Sequence, residues 1–250
     1  MFTVYRLVMN LIIDAGNTFV KLAVFQEGEL FEKFTVQHND FLKQVKHLLD
    51  KYPIISNGII SSVATLNKED VETLASLIHL LVLNSETSLP FKNLYKTPKT
   101  LGVDRIALVS ASVKQFSNTN VLVIDAGTCI TYDFVNYNNE YLGGAISPGI
   151  RLRYKSLHNL TANLPLLESK VPESFIGNTT ESAIHSGVVF GVLKEINGVI
   201  AAYNEKYSDL TVILTGGDTN FLSKQLKNGI FANSNFLLEG LNFILEYNSQ

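Results

Sequence analysis

A four-residue segment occurs twice in this chain, once in each half of the sequence. Residues 13–16 read Ile-Asp-Ala-Gly, and residues 124–127 repeat the same four residues. Each copy ends a run of aliphatic residues that is typical of a buried strand, and each is soon followed by a threonine and a second apolar run. A local repeat placed once in each half predicts two related half-domains.

The composition is that of an ordinary globular protein of 250 residues. Apolar residues make up 46% of the chain and charged residues 17%, so a core can form without disulfide or metal staples. The formal net charge is −3 and the basic residues are not clustered, which disfavours nucleic-acid binding. The single cysteine, Cys129, excludes an intramolecular disulfide and a cysteine-based zinc site. Its place in an apolar run predicts a small buried residue.

No apolar stretch of the sequence reaches the roughly 20 residues that a transmembrane helix needs. We therefore predict a cytoplasmic protein that does not contact the membrane. The first eight residues lack the apolar segment and the cleavage signature of a signal peptide. Either Met1 or Met9 is the initiating residue, because Met9 directly precedes the first predicted strand.

The spacing of apolar residues predicts the same α/β outline in both halves. The first half reads strand-strand-strand-helix-strand-helix-strand. The second half repeats three strands and then continues with helices and an aliphatic strand at residues 212–214. This outline predicts two stacked α/β half-domains with a cleft between them. A predicted helix within residues 101–120 joins the halves, which gives half-domains of residues 1–115 and 116–250.

The turn after the first predicted strand carries groups that can hold a phosphate. Asp14 could bind Mg²⁺ or its water shell, Gly16 allows close approach to the backbone, and Lys21 supplies positive charge. Asn17 and Thr18 add hydrogen-bond donors. An ordinary hairpin turn with an aspartate is the alternative, and the second copy of the motif weakens it. The segment is not a P-loop, because the required glycine and lysine spacing is absent from the sequence.

A second polar group, Gly-Val-Asp-Arg at residues 102–105, begins a predicted helix. Asp104 could accept the proton of an attacking hydroxyl, and Arg105 could bind a carboxylate through two parallel hydrogen bonds. A local ion pair between these two side chains is the simpler explanation of this motif alone. Glycine-rich segments at residues 143–149 and 215–218 are predicted to line a ligand cleft, although the second is also typical of a strand-to-helix turn.

Taken together, these segments resemble the type III pantothenate kinases, which belong to the superfamily of acetate and sugar kinases, Hsp70 and actin. The resemblance extends over nearly the whole chain. Each matching segment is short, but their order and spacing are specific. They are residues 14–18 with Lys21, 102–105, 125–128, 143–144 with 147–149, 161–165, 177–187 and 215–218. The resemblance implies two duplicated ribonuclease H-like half-domains of the actin-like ATPase type, with a nucleotide cleft between them.

The resemblance also implies a reaction and a role for each matching position. The reaction would be transfer of the ATP γ-phosphoryl group to the 4′-hydroxyl of pantothenate, the first step of coenzyme A synthesis. Asp104 would be the general base, Asp14 would hold Mg²⁺, and Asp125 would coordinate a monovalent cation, K⁺ or NH₄⁺. ATP would contact Asp14, Ala15, Gly16, Asn17, Thr18, Phe19, Val20, Lys21 and Thr128. Pantothenate would contact Tyr95, Gly102, Val103, Asp104, Arg105 and Thr180.

Members of the family are homodimers with the acceptor site near the interface, so Thr180 would serve the site of the neighbouring subunit. Thr179 is the alternative for this contact, although Ala183 and the Ser-Gly pair at residues 186–187 favour Thr180. Two other functions stay open, namely a kinase of the same superfamily with another acceptor and a non-catalytic, transcription-linked accessory factor. The lack of a basic recognition helix in the sequence disfavours the second of these.

Overall fold

The computed structural model describes residues 8–17, 19–61, 66–226 and 229–249. The chain divides into two compact units. The first unit is Met1–Gln115 together with Asn235–Gln250, and the second is Phe116–Ser234. The sequence-based division assigns residues 116–250 to one half-domain. In the structure, the segment Asn235–Gln250 instead belongs to the first unit.

The secondary structure follows the predicted α/β outline. The strands of the described residues are β1 (Met9–Ala15), β2 (Val20–Gln26), β3 (Glu29–Val36), β4 (Ile55–Ile60), β5 (His79–Val82), β6 (Lys92–Asn93), β7 (Asn120–Ala126), β8 (Cys129–Val135), β9 (Glu140–Pro148), β10 (Leu210–Thr215) and β11 (Ile230–Ala232). The helices are α1 (Phe41–Lys51), α2 (Lys68–Leu77), α3 (Val103–Gln115), α4 (Ile150–Asn159), α5 (Thr180–His185), α6 (Gly191–Lys206), α7 (Thr219–Ser223) and α8 (Phe236–Asn248). Short 3₁₀ turns span His38–Asp40 and Pro98–Thr100, and a π-helical turn, Ser186–Phe190, joins α5 to α6.

The first unit is built on a sheet with the strand order β3-β2-β1-β4-β5. β1, β2 and β3 pair antiparallel, whereas β4 pairs parallel to β1 and β5 pairs parallel to β4. Six of the seven residues of β1 are buried, because both faces of this strand are covered. Leu11 and Ile13 face a core shared with α1 and α2, whereas Asn10 hydrogen-bonds to Asn242 of α8 over 2.9 Å.

The C-terminal helix α8 is part of the first unit because it packs closely on α3. A Cβ added to Gly240 of α8 would lie 1.9 Å from the carbonyl oxygen of Ala107, so the two helix backbones are in direct contact. Leu241 and Ile244 are fully buried along the same helix. An apolar helix of this kind needs a partner surface, and the local sequence does not specify which unit supplies it.

The second unit repeats the topology of the first. Its strands follow the order β11-β10-β7-β8-β9, in which β7, β8 and β9 are antiparallel and β10 and β11 run parallel to β7. In reverse, this order is β9-β8-β7-β10-β11, which corresponds strand by strand to β3-β2-β1-β4-β5 of the first unit. The predicted duplication is therefore confirmed, and the two Asp-Ala-Gly turns lie at equivalent places, after β1 and after β7.

The second unit contains a long, apolar helix. Among the described residues, the continuous helix Thr180–Lys206 is long and apolar enough to pass as a membrane span by length and composition. The prediction that no segment reaches that length is therefore too strong. Of its apolar window, 44% is buried, and Val189, Val192 and Ile196 pack into the core of the second unit. This packing is typical of the core helix of a globular domain.

Candidate active site

The first turn holds a carboxylate and an ammonium group close together. Asp14 and Lys21 lie opposite each other in the pairing of β1 with β2, and Lys21 Nζ is 3.5 Å from Asp14 Oδ2. The hydroxyl of Ser61 donates to Asp14 Oδ1 over 3.0 Å. Two neighbours therefore hold the carboxylate in place, and the sequence identifies only one of them. Ser61 reaches Asp14 because β4 runs parallel to β1 and ends beside it.

The backbone of this turn is fixed by two hydrogen bonds to Gly16. Its amide donates to the carbonyl of Phe19 over 3.1 Å, and its carbonyl accepts from His38 Nε2 over 3.0 Å. Asn17 is exposed, Phe19 is exposed, and Thr18 lies outside the described residues. Ala15 and Val20 are buried strand residues that flank the turn, so their contribution to a ligand contact rests on backbone atoms.

The second polar motif begins helix α3. Asp104 is exposed in the first turn of the helix, where the helix dipole favours an ionised carboxylate. Its Oδ1 accepts a hydrogen bond from the backbone amide of Arg105 over 2.9 Å. A Cβ added to Gly102 would lie 2.3 Å from the same oxygen. The missing side chain at Gly102 therefore leaves room for the Asp104 carboxylate in this position.

Arg105 is almost fully buried, with 5% of its surface exposed. Its guanidinium carbon lies 5.5 Å from the centre of the Tyr95 ring, which is the geometry of a cation–π contact. The structure therefore brings Tyr95 and Arg105 together from separate segments. A buried guanidinium is not the solvated partner of a surface ion pair. This placement argues against the interpretation of residues 102–105 as a simple local ion pair.

The second Asp-Ala-Gly turn is also closed by a backbone hydrogen bond from its glycine, but it is one residue shorter than the first. The amide of Gly127 donates to the carbonyl of Cys129 over 2.9 Å, whereas that of Gly16 donates one residue further along, to Phe19. Asp125 is the last residue but one of β7, and Thr128 is exposed in the turn. Cys129 is also exposed, so the prediction of a buried cysteine is wrong. The reason is its position as the first residue of β8, beside the turn, whereas the rest of that strand is buried.

The glycine-rich segment after β10 packs directly on this second turn. Gly216 has a φ of +95°, and a Cβ there would lie 2.3 Å from Asp125 Oδ1 and 2.4 Å from the carbonyl oxygen of Ala126. The amide of Asp218 donates to the same carbonyl over 2.9 Å. Burial raises the pKa of the Asp218 carboxyl, and nearby Arg151 partly opposes this rise. The segment thus fixes the position of the turn.

Thr179 and Thr180 have different surroundings at the start of α5. The amide of Ser182 donates to the Thr179 hydroxyl over 3.1 Å, and the amide of Thr179 donates to the Ser182 hydroxyl over 3.0 Å. This reciprocal pair is a capping box. Thr180 instead lines a cavity of about 620 Å³. The other residues around this cavity are Arg153, Ser156, Leu157, Leu164, Ala183, Ile184, Gly187 and Val188. Thr180 is therefore the better placed of the two for contact with a ligand.

Among the described residues, no group of three or more histidine, cysteine or acidic side chains could hold a metal ion. Asp14 and Asp125 each lie in a separate unit. A cation at either aspartate would therefore need further oxygen ligands from water, backbone carbonyls or a bound phosphate. Mg²⁺ in kinases is commonly held in this way, by one or two carboxylates and the substrate phosphates.

Two comparisons relate this geometry to known proteins. The family model described as type III pantothenate kinase matches residues 10–202. A type III pantothenate kinase of Christiangramia forsetii is 54% identical over 240 residues, which cover 96% of this chain and 99% of that relative. The match to this relative therefore extends over nearly the whole chain.

Solved structures agree with this at the level of the fold. A Campylobacter jejuni structure described as a Baf family transcriptional activator has a TM-score of 0.63 at 23% identity, covering 96% of this chain and 98% of that one. A glucokinase from an Antarctic psychrotroph has a TM-score of 0.53 at 13% identity, covering 96% and 99%. These similarities confirm the actin-like, sugar-kinase fold, whereas the family itself rests on the sequence matches. The chain belongs to the type III pantothenate kinase family.

Proposed function

We propose that this chain transfers the γ-phosphoryl group of ATP to the 4′-hydroxyl of pantothenate, the first step of coenzyme A synthesis, with the residue roles given below. Besides family membership, the main support is the arrangement at the start of α3. An exposed carboxylate, Asp104, directly precedes a buried guanidinium, Arg105, which stacks on Tyr95. This arrangement provides a proton acceptor beside a binding group for a carboxylate, and pantothenate has both a hydroxyl and a carboxylate.

The acceptor would be bound and activated by the α3 motif. Arg105 would bind the pantothenate carboxylate through paired hydrogen bonds, since its planar group suits that anion. Asp104 would accept the proton of the 4′-hydroxyl as the oxygen bonds to the γ-phosphorus and ADP leaves. Phosphoryl transfer has a loose transition state, so the proton is taken late and alignment contributes most of the rate.

The two turns would carry the negative charge of ATP. Lys21 and the hydrogen-bond donors of Asn17 and Thr18 would bind phosphate oxygens, and Asp14 would hold Mg²⁺, whose charge offsets that of the phosphates. The hydrogen bond from Ser61 supports this assignment, because it fixes one carboxylate oxygen and leaves the other beside Lys21. In the second unit, Asp125 would bind K⁺ or NH₄⁺ and Thr128 would contact ATP.

Turnover of ATP with purified protein, Mg²⁺ and pantothenate, with and without K⁺, tests this proposal. We expect ADP formation that requires pantothenate and is strongly stimulated by K⁺ or NH₄⁺. A panel of other alcohols, including sugars, provides the control for the acceptor. Turnover with a sugar but not with pantothenate would assign a different acceptor, and DNA binding at physiological salt without turnover would indicate the transcription-linked alternative.

The threonine pair gives a prediction with a built-in control. Thr180→Ala should raise the KM for pantothenate by about tenfold, the equivalent of roughly 1.4 kcal/mol in binding, and leave the thermal stability nearly unchanged. Thr179→Ala removes a helix cap and should lower stability by about 1 kcal/mol with little change in KM. Steady-state kinetics and thermal unfolding of both variants provide the test. The opposite result would assign the substrate contact to Thr179.

Cys129 offers a direct probe of the second turn. Because it is exposed and is the only cysteine of the chain, iodoacetamide should label the native protein at a single site. Mg-ATP should slow the labelling by at least about threefold if nucleotide binds at Thr128, since even a modestly occupied site shields a neighbouring residue. Mass spectrometry over time measures both rates. Equal rates with and without Mg-ATP would contradict the role of Thr128.

We also propose a cytoplasmic homodimer that binds neither nucleic acid nor membrane. Several large apolar side chains between α4 and α5 are exposed, including Leu160 (82%) and Ile176 (80%), with Leu166 and Phe175 nearby in sequence. Clustered exposed apolar residues commonly mark a protein interface. Sedimentation should give a mass of twice 27.7 kDa. The double variant Leu160→Lys with Ile176→Lys should lower the measured mass to that of the monomer. It would then also separate Thr180 from the acceptor site of the neighbouring subunit.

A further inference from the structure

Four polar residues form a connected cluster on the second unit, which we call the Arg153 cluster: Tyr132, Ser147, Arg153 and Glu195. The guanidinium of Arg153 donates to a carboxylate oxygen of Glu195 and, over 3.1 Å, to the hydroxyl of Ser147. The hydroxyl of Tyr132 donates to the other oxygen of Glu195 over 2.8 Å. The residues come from β8, β9, α4 and α6, so the cluster ties four elements together.

The hydrogen bonds of the Arg153 cluster set the protonation states of Glu195 and Tyr132. Burial alone would raise the pKa of Glu195, but hydrogen bonds from Arg153, Tyr132 and Ser147 lower it below its usual value. Burial and the nearby Glu195 carboxylate raise the pKa of Tyr132, so its hydroxyl keeps its proton and remains a donor. Glu195 is therefore ionised near neutral pH and accepts from all three neighbours. Charge-assisted hydrogen bonds of this kind are short and directional.

Arg153 also holds a backbone segment in place. Its Nε donates to the carbonyl of Pro148 over 2.9 Å, and its own amide donates to the carbonyl of Gly149 over 3.1 Å. The Arg153 side chain therefore bonds to residues 147 and 148, and the Arg153 backbone bonds to residue 149. Glu195 in turn holds the guanidinium, since one of its carboxylate oxygens accepts from Arg153 and the other accepts from Tyr132.

This segment lies directly on the second Asp-Ala-Gly turn. The amide of Gly149 donates to the carbonyl of Thr128 over 3.0 Å. A Cβ added to Gly149 would lie 2.1 Å from the carbonyl oxygen of Gly127 and 2.6 Å from that of Thr128. Backbone packed this closely transmits a displacement directly. The positions of Gly127 and Thr128 therefore depend on where Arg153 holds residues 147–149.

We propose that Arg153 and Glu195 are positioning residues for nucleotide binding, acting through residues 147–149 on the turn that carries Asp125 and Thr128. The proposal rests on the proposed function of that turn. Neither residue touches the nucleotide. Their role is to hold the turn in the geometry that binds ATP and its cation, so that little binding energy is lost in ordering the turn.

The affinity for Mg-ATP in the absence of pantothenate tests the proposal, measured by calorimetry on the full chain with K⁺ present. Arg153→Gln should raise the Kd for Mg-ATP by about tenfold, and Glu195→Gln by about threefold, because the amide keeps an acceptor but loses the charge. The concentration of K⁺ that gives half-maximal binding should rise in both variants. Arg153→Lys, which keeps the charge and one donor, should recover part of the affinity.

Glu168→Gln is the matched control. Glu168 pairs at 4.0 Å with Arg151, which lies on the same helix as Arg153, and both side chains of this pair are exposed. Its loss should leave the Kd for Mg-ATP unchanged. The double variant Arg153→Gln with Glu195→Gln should bind no more weakly than Arg153→Gln alone, since coupled residues act as one unit.

The outcomes separate the two proposals. A lower melting temperature with unchanged Kd in Glu195→Gln would assign the cluster a purely structural role and overturn the inference. If Arg153→Gln fails to fold, Glu195→Gln and Arg153→Lys still decide the matter. Failure of the unaltered protein to bind Mg-ATP at all would instead contradict the proposed function. Binding of Mg-ATP without phosphorylation of pantothenate would leave this inference intact and change only the acceptor.

Discussion

Replacement of Asp104 with Asn is expected to lower kcat by about 10²- to 10⁴-fold, the range typical of a lost general base. The fold should survive, because the amide oxygen of Asn can still accept the hydrogen bond that Arg105 donates from its backbone over 2.9 Å. The KM for pantothenate should change little, since Arg105 and Tyr95 keep their contact. The carboxylate contributes as a proton acceptor in the transition state, and an amide has no such basicity.

Steady-state turnover of ATP with pantothenate, together with thermal unfolding, measures this effect. Asp50→Asn, an exposed aspartate of helix α1 in the same unit, is the control and should retain full activity. Near-normal turnover of Asp104→Asn would remove the base assignment. Loss of activity together with a large drop in melting temperature would instead indicate that the carboxylate stabilises the first turn of α3.

Gly216→Ala is expected to have the largest effect on stability and to remove activation by K⁺. The new Cβ would meet Asp125 Oδ1 at 2.3 Å and the carbonyl oxygen of Ala126 at 2.4 Å, and the φ of +95° disfavours any side chain. Left-handed backbone at a non-glycine residue costs about 1–2 kcal/mol and overpacking about 1–3 kcal/mol. Together these lower Tm by roughly 5–15 °C for a chain of this size.

Gly217→Ala is a closely matched control, because the neighbouring glycine has no atom within 4 Å of an added Cβ. It should change Tm by less than about 2 °C and keep the response to K⁺. Circular dichroism during heating, and turnover across a range of K⁺ concentrations, test both variants. Equal behaviour of the two variants would show that the contact between Gly216 and Asp125 does not position the cation site.

Much of this arrangement follows from local sequence. The Asp-Ala-Gly repeat and the alternation of apolar runs predict two related α/β units, and the equivalent strand orders confirm this. Such patterns are reliable because burial of a strand dictates its residues directly. The motif at residues 102–105 identifies Asp104 and Arg105 in the same way, since their position at a helix start is a local property.

Features that depend on tertiary contacts could not be predicted from local sequence patterns. Ser61 meets Asp14 only because β4 aligns with β1 in parallel register. Glu195 meets Arg153 across a long stretch of chain, and neither residue belongs to a recognisable motif. Cys129 occupies an apolar run, yet it is exposed because it is the first residue after a turn. In each case the neighbour in space, rather than in sequence, decides the environment.

The return of helix α8 to the first unit has a consequence for synthesis on the ribosome. Residues Phe116–Ser234 are made before α8, although α8 covers α3 and the sheet of the first unit. At about 5–20 residues per second, the ribosome needs on the order of ten seconds to make that stretch. During this interval the face of α3 that carries Ala107 lacks its cover. A nascent chain released before residue 236 should therefore be a substrate for chaperones.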